Sequence, residues 1–260
     1  LAALLLWPQR ALVLTGANDF LSFHAGGRLA FQHKLYTPTA IEAAQREHAG
    51  TSSPKLSFIR LPFYAAALWL PARLPYHAAY ACWQSLQLAA LLALLFLIPL
   101  EGRPRWLRAL CASTPLAWSF ANGQDLPLLL LILAASAALG AQGRHFASGL
   151  VLSLCLIKPH LILLLPLLYL PRGRRLGLAG FALGSSLLLG VSFLVAGWSW
   201  PAEYARLLWT ADIHGGLSRS PNWHGASRAL LGLDWPGWVL AGGTAAARSE
   251  EHTSELQSLT

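Results

Sequence analysis

The sequence predicts an all-α fold of the polytopic integral membrane kind, and three observations carry that expectation. Of 260 residues, 55% are hydrophobic and only 12% charged. The apolar residues fall in long blocks rather than the short alternating runs of a soluble α/β chain. Eleven tryptophans, among them Trp198, Trp200, Trp209 and Trp223, stand near block ends, where interfacial anchors belong. The formal charge of +8 does not call for nucleic acid, since basic residues collect in the loops of inner-membrane proteins.

The long blocks are Tyr76–Leu100, Leu126–Leu139, Phe146–Leu170 and Leu176–Trp198; shorter ones are Leu1–Trp7, Pro62–Leu70 and Ala109–Phe120. Two loops are basic: Glu101–Arg108, with Arg103, Arg105 and Arg108, and Pro171–Arg175, with Arg172, Arg174 and Arg175. The positive-inside rule assigns both to the cytoplasm, so an even number of crossings separates them. Leu126–Leu139 and Phe146–Leu170 supply two. Ala109–Phe120 is shorter than the ~20 residues of a span and is expected not to cross. Tyr76–Leu100 then runs inward and Leu176–Trp198 outward. Pro62–Leu70, bounded by prolines, is expected to dip without crossing. Pro8–Arg60 and Pro201–Asp234 fall together on the extracytoplasmic face.

The membrane domain is read over residues 1–247. Leu1 is not a methionine, so the natural start is expected to lie before it, and further spans are expected past Ala247. Arg248–Ser258 (RSEEHTSELQS) carries three of the eleven acidic residues and looks like a translated sequencing adapter. Residues 248–260 are therefore kept out of the fold. Cys82, Cys111 and Cys155 are scattered in apolar surroundings and read as small hydrophobes.

Four places hold chemistry. The sharpest is Lys158, the one charge in the 25-residue run Phe146–Leu170. A lysine at bilayer depth costs roughly 3 kcal/mol and needs a partner. Pro159 and His160 follow, so the helix is weakened at the charge. No acidic residue lies in a confident span, which favours an anionic ligand or a loop carboxylate as that partner. Next is Ala17–Pro38, where Asp19 stands at a helix start, as a cap would, with Gly26, Gly27, Arg28 and Lys34 close by. Its plain reading is an interfacial amphipathic helix with a capping aspartate. Asn122–Asp125 reads as a polar turn and N-cap ahead of Pro127. Arg219–Arg228 offers Asn222, His224 and Arg228 beside Trp223.

Taken in order, these features resemble glycosyltransferase family 87, of GT-C fold, over most of Leu12 to Leu233. The resemblance rests on DFLSFHAGGRLAFQHKLYTP, LPFYAAALWLPARLPYHAAYACW, NWHGASRALLG and, most specifically, the stretch from NGQDLPLLLL through LIKPH to the basic loop PRGRR. The chain departs from the family pattern at Asp125, at Leu61–Pro62–Phe63 and at His24.

The resemblance implies transfer of a sugar, typically mannose, from a polyprenyl-phosphate-sugar donor to a glycolipid or glycan hydroxyl, with inversion, at the outer face of the bilayer. Asp19 matches the acidic residue assigned as general base. Lys158, Arg28 and Arg228 are the candidate cations for the donor phosphate. His24, Tyr36, Gln124, His160, Asn222 and His224 are candidate substrate contacts. Polyprenyl phosphate leaves readily, so neither a metal nor another cofactor is expected, and no DxD-like acidic pair is present to hold a metal. Two other readings stay open: a lipid-linked substrate flippase that uses the cations without reaction, and a non-catalytic membrane subunit.

Overall fold

The computed structural model describes residues 7, 10–49, 56–98, 100–162, 164–170, 174–210 and 239. All regular structure among them is helical, as the sequence predicts. The chain divides into two compact units, Leu1–Ala205 and Arg206–Thr260. The candidate site lies in the first.

After a short helix α1 (Arg10–Thr15), helix α2 (Phe20–Leu29) is buried at every residue but Arg28. It is a core helix, not the interfacial one expected. Asp19 takes the N-cap position but makes no side-chain cap bond. Two glycines permit the burial: a Cβ on Gly26 would strike the Phe58 ring, and one on Gly27 would lie 2.7 Å from the Leu68 carbonyl oxygen. Helix α3 (Pro38–Ala49) and helix α4 (Pro62–Leu68) pack against α2.

Helix α5 (Tyr76–Leu97) turns one face inward, through Tyr76, Ala79, Tyr80, Trp83, Gln87, Ala90 and Leu94, at helical spacing. Its other face exposes Leu86, Leu88, Leu92 and Phe96. Its 22 residues extend for about 33 Å, and α5 is one of two described helices long and apolar enough to cross a membrane. The other is α11 (Arg175–Ala196).

Between them the chain runs back and forth along the bundle. Tyr76 and Trp83 of α5 hold the end that contains Gly16 and Gly123, and the helix leads away from it. Helices α6 (Arg103–Ala112) and α7 (Thr114–Ala121), broken at Ser113, bring the chain back. Helix α8 (Leu126–Ala141) leads away again, and α9 (His145–Ser153) returns, tightening into a 3₁₀ turn at Leu154–Ile157.

Lys158 stands at the apex. From there α10 (Pro159–Ile162) and a second 3₁₀ turn (Leu165–Tyr169) carry the chain down once more. Tyr169 Oη comes to 2.6 Å from Ser148 Oγ and 3.3 Å from Ser136 Oγ. The run Phe146–Leu170 is therefore a hairpin and not one straight span. Pro159 and Pro166 remove two backbone donors, which breaks what an unbroken leucine-rich run would have continued.

Helix α11 lies along α9 on a seam of glycines. A Cβ on Gly149 would strike the backbone of Gly177, and one on Gly180 the backbone of Phe146. Helix α12 (Trp200–Thr210) follows.

This path corrects the expected orientation. Gly102 and Arg174 do share one end, with an even number of legs between them. But Asn122–Asp125 lies at the Asp19 end, because the Asp19 amide donates to the Asn122 carbonyl oxygen at 3.1 Å. The stretch Ala109–Phe120 thus forms most of a leg with the residues before it. The Phe146 end of its own leg points away from Asp19, and Lys158 points toward it.

Candidate functional site

Asn18 anchors the site's backbone. Its amide donates to Tyr80 Oη and to the Ala121 carbonyl oxygen, both at 3.0 Å, and its Oδ1 accepts from the Phe20 amide at 3.1 Å. The loop ahead of α8 is clamped onto it. Trp83 Nε1 donates to the Gly123 carbonyl oxygen at 2.9 Å. Gly123 has φ +65, and a Cβ there would sit 2.7 Å from Asn18 Oδ1. Only glycine fits that turn without strain. Asp19, Gln124 and Asp125 are thereby fixed side by side.

Asp125 does not cap α8 with its side chain. Fully buried, its carboxylate faces two cations: Lys158 Nζ at 2.8 Å from Oδ1 and Arg60 Nε at 3.3 Å from Oδ2. Burial pushes its proton affinity up, but Arg60 and then Lys158 outweigh burial and hold it below the usual carboxylate range. Gln124 completes the set. Its Oε1 accepts from Lys158 Nζ at 3.1 Å and from Arg60 Nη2 at 3.3 Å. Its Nε2 donates to Asp19 Oδ2.

Asp19 is only partly buried and makes no direct ion pair among the described residues. Burial raises its proton affinity above the ordinary carboxylate value. The Gln124 hydrogen bond and the charges of Arg60 and Lys158 oppose that rise without cancelling it. The two carboxylates are driven in opposite directions, a pattern that separates a structural acid from a reactive one.

Arg60 was missed in the sequence. It stands alone between Ile59 and Leu61 and is 4% exposed, with its guanidinium 5.0 Å from the centre of the Phe23 ring. The other candidates scatter. Tyr36 donates to the Arg60 carbonyl oxygen at 2.8 Å, so it supports the site from below. His24 is 2% exposed and packs edge-on against Tyr76; that places it in the core rather than at a substrate surface. Arg28 pairs with Glu47 at 3.1 Å, about 14 Å along α2 from Asp19. His160 is exposed beside the cluster and within the field of Arg60, Lys158 and Asp125. Asn222, His224 and Arg228 lie outside the described residues.

An apolar cavity of about 600 Å³ adjoins the cluster. Its inner wall includes Phe20, next to Asp19, and Ile157, next to Lys158. Leu86, Cys82 and Leu154 line it too and are exposed on the bundle's apolar flank, so it communicates with the side of the molecule.

The class the described residues define is a helical bundle with a buried charged cluster and two helices long and apolar enough to cross a membrane, which is consistent with membrane association. The sequence profile of glycosyltransferase family 87 matches residues 58–248, and the chain belongs to that family. It is a glycosyltransferase. The match takes in Arg60, Gln124, Asp125 and Lys158, while Asp19 precedes it. Among curated proteins and among solved structures, nothing matches the chain.

Proposed function

We propose that this glycosyltransferase moves a sugar, mannose by family resemblance, from a polyprenyl-phosphate-linked donor to a hydroxyl of a glycolipid or glycan. Asp19 acts as general base. The acceptor hydroxyl gives its proton to Asp19 as its oxygen attacks the anomeric carbon. The bond from that carbon to the phosphate oxygen breaks, the electron pair leaves with the phosphate, and the anomeric centre inverts. The observation that carries this reading is a partly exposed carboxylate one amide away from two cations, Arg60 buried and Lys158 partly buried.

The electrostatics fit such a leaving group. Arg60 and Lys158 against Asp125 leave one excess positive charge beside the reacting centre. A preplaced cation in a dry site stabilises the charge that grows on the departing phosphate. Lys158 serves that role better than Arg28, which Glu47 engages at a distance. The cavity under Phe20 and Ile157, apolar and in contact with the flank of the bundle, suits an isoprenoid chain arriving from the bilayer. Arg105, Arg108, Arg174 and Arg175 gather at the opposite end. The positive-inside rule then turns the Asp19 end to the extracytoplasmic side of a multi-pass inner-membrane protein.

The test is transfer of radiolabelled mannose from polyprenyl-phosphate-mannose to membrane acceptors by the full-length protein. Asp19→Asn is expected to lower the rate by roughly 10²–10⁴. Full transfer by that variant would overturn the role of Asp19, whereas a wild-type protein that binds the donor and transfers nothing would favour a flippase.

A further inference from the structure

Gln124 joins the buried ion pairs to Asp19, and its orientation is not free. A side-chain amide fits a site either way round, and its neighbours decide which. Here the oxygen accepts from Lys158 Nζ and Arg60 Nη2, at 3.1 and 3.3 Å. Neither cation can accept a hydrogen bond. Reversing the amide would set its NH₂ against both cations and its oxygen against the Asp19 carboxylate. The backbone gives it no other route, since the Gln124 amide N–H is tied to the Ser119 carbonyl oxygen at 2.9 Å.

We infer that Gln124 is a positioning residue through which Arg60 and Lys158 aim Asp19 and set its basicity. This rests on the sugar-transfer reading above. Gln124 holds Oδ2 of Asp19, which leaves Oδ1 for the acceptor hydroxyl. An N–H donated to a carboxylate favours its charged form, and the two cations polarise the amide that donates it. The charged groups acting on Asp19 come from three segments: Arg60 ahead of α4, Lys158 ahead of α10, and Asp125 ahead of α8. The same three groups act on His160.

A chain of this kind predicts a change in pH response and not merely a weaker enzyme. Gln124→Leu removes the N–H from Asp19, so the carboxylate keeps its proton to higher pH. Gln124→Glu keeps an acceptor for both cations but supplies no N–H and adds a negative charge, so it moves the response further in the same direction.

The experiment measures transfer from polyprenyl-phosphate-mannose across pH for the full-length wild-type protein and both variants in liposomes. The acid limb is expected to move upward in the order wild type, Gln124→Leu, Gln124→Glu. Below the limb, Gln124→Leu should lose about tenfold more transfer than above it. Loss by one common factor at every pH would make Gln124 a packing residue and overturn the inference. Should Gln124→Leu fail to fold, Gln124→Glu, which retains both cation bonds, carries the test alone. A wild-type protein that transfers nothing at any pH overturns the sugar-transfer reading itself, which separates the two failures.

Discussion

Lys158 Nζ lies 2.8 Å from Oδ1 of Asp125, so the lysine at the apex of the apolar hairpin is neutralised by the residue that opens α8. With Arg60 on the same carboxylate, two cations depend on one buried anion. Removing one partner of such a set leaves an uncompensated charge, which destabilises by about 3–5 kcal/mol. Asp125→Leu is expected to lose that much in denaturant unfolding of the detergent-solubilised protein. Combining it with Lys158→Met should recover part of the loss, because the double variant leaves only Arg60 unpaired. Additive losses in the double-mutant cycle would show that the pair is not coupled.

Asp19 should trade stability against activity. Burial raises its proton affinity in the fold, so the folded state binds that proton more tightly than the unfolded chain does. Its contribution to stability is therefore present at low pH and is lost as pH rises through the raised folded value. On the proposed mechanism transfer runs the other way, since a general base must be ionised. Activity is expected to appear as pH rises through a limb above the ordinary 3.8. Asp19→Asn should melt higher than wild type at neutral pH and match it in acid. A lower melting point at neutral pH would contradict the desolvation argument.

The glycine seam makes a prediction with its own control. Gly149→Val or Gly180→Val places a side chain on the backbone of the facing helix. Backbone cannot step aside as a flexible side chain would, so either change should cost at least about 3 kcal/mol or abolish folding. Gly190, on α11, has nothing within 4 Å of its would-be Cβ. Gly190→Ala should stabilise by about 0.5–1 kcal/mol through helix propensity. Thermal melts of the three variants would check both halves.

Single cysteines in a background lacking Cys82, Cys111 and Cys155 test the path of the chain. Gly102→Cys and Gly143→Cys should react with an impermeant maleimide from one side of sealed vesicles. Gly197→Cys, beside His33, should react from the other. Labelling of Gly102 and Gly143 from opposite sides would restore the simple two-crossing topology.

The weight of Lys158 was legible from sequence, because a lone charge in an apolar run has few harmless explanations. Its partner was not. Asp125 precedes a proline-started helix, the place where caps occur, and local pattern cannot tell a cap from a carboxylate turned the other way. Arg60 gave even less warning, since one arginine beside Ile59 and Leu61 reads as a loop end. The all-helical fold followed from composition. The hairpin did not, for hydropathy counts apolar length and ignores direction. Pro159 and Pro166 were the visible clue, and only the Tyr169–Ser148 contact shows what they accomplish.

The three-way meeting at Asp125 bears on how the molecule is made as well as on what it does. Arg60, Asp125 and Lys158 come from segments far apart in the chain, and Lys158 is the last of them to be synthesised. Until it docks, the hairpin carries a bare ammonium into an apolar surrounding, and Asp125 shares one cation instead of two. Each is poorly tolerated there alone. Burial of Lys158 therefore depends on Asp125 and the first half of the chain being in place, and a chain folded without that contact holds an unpaired charge.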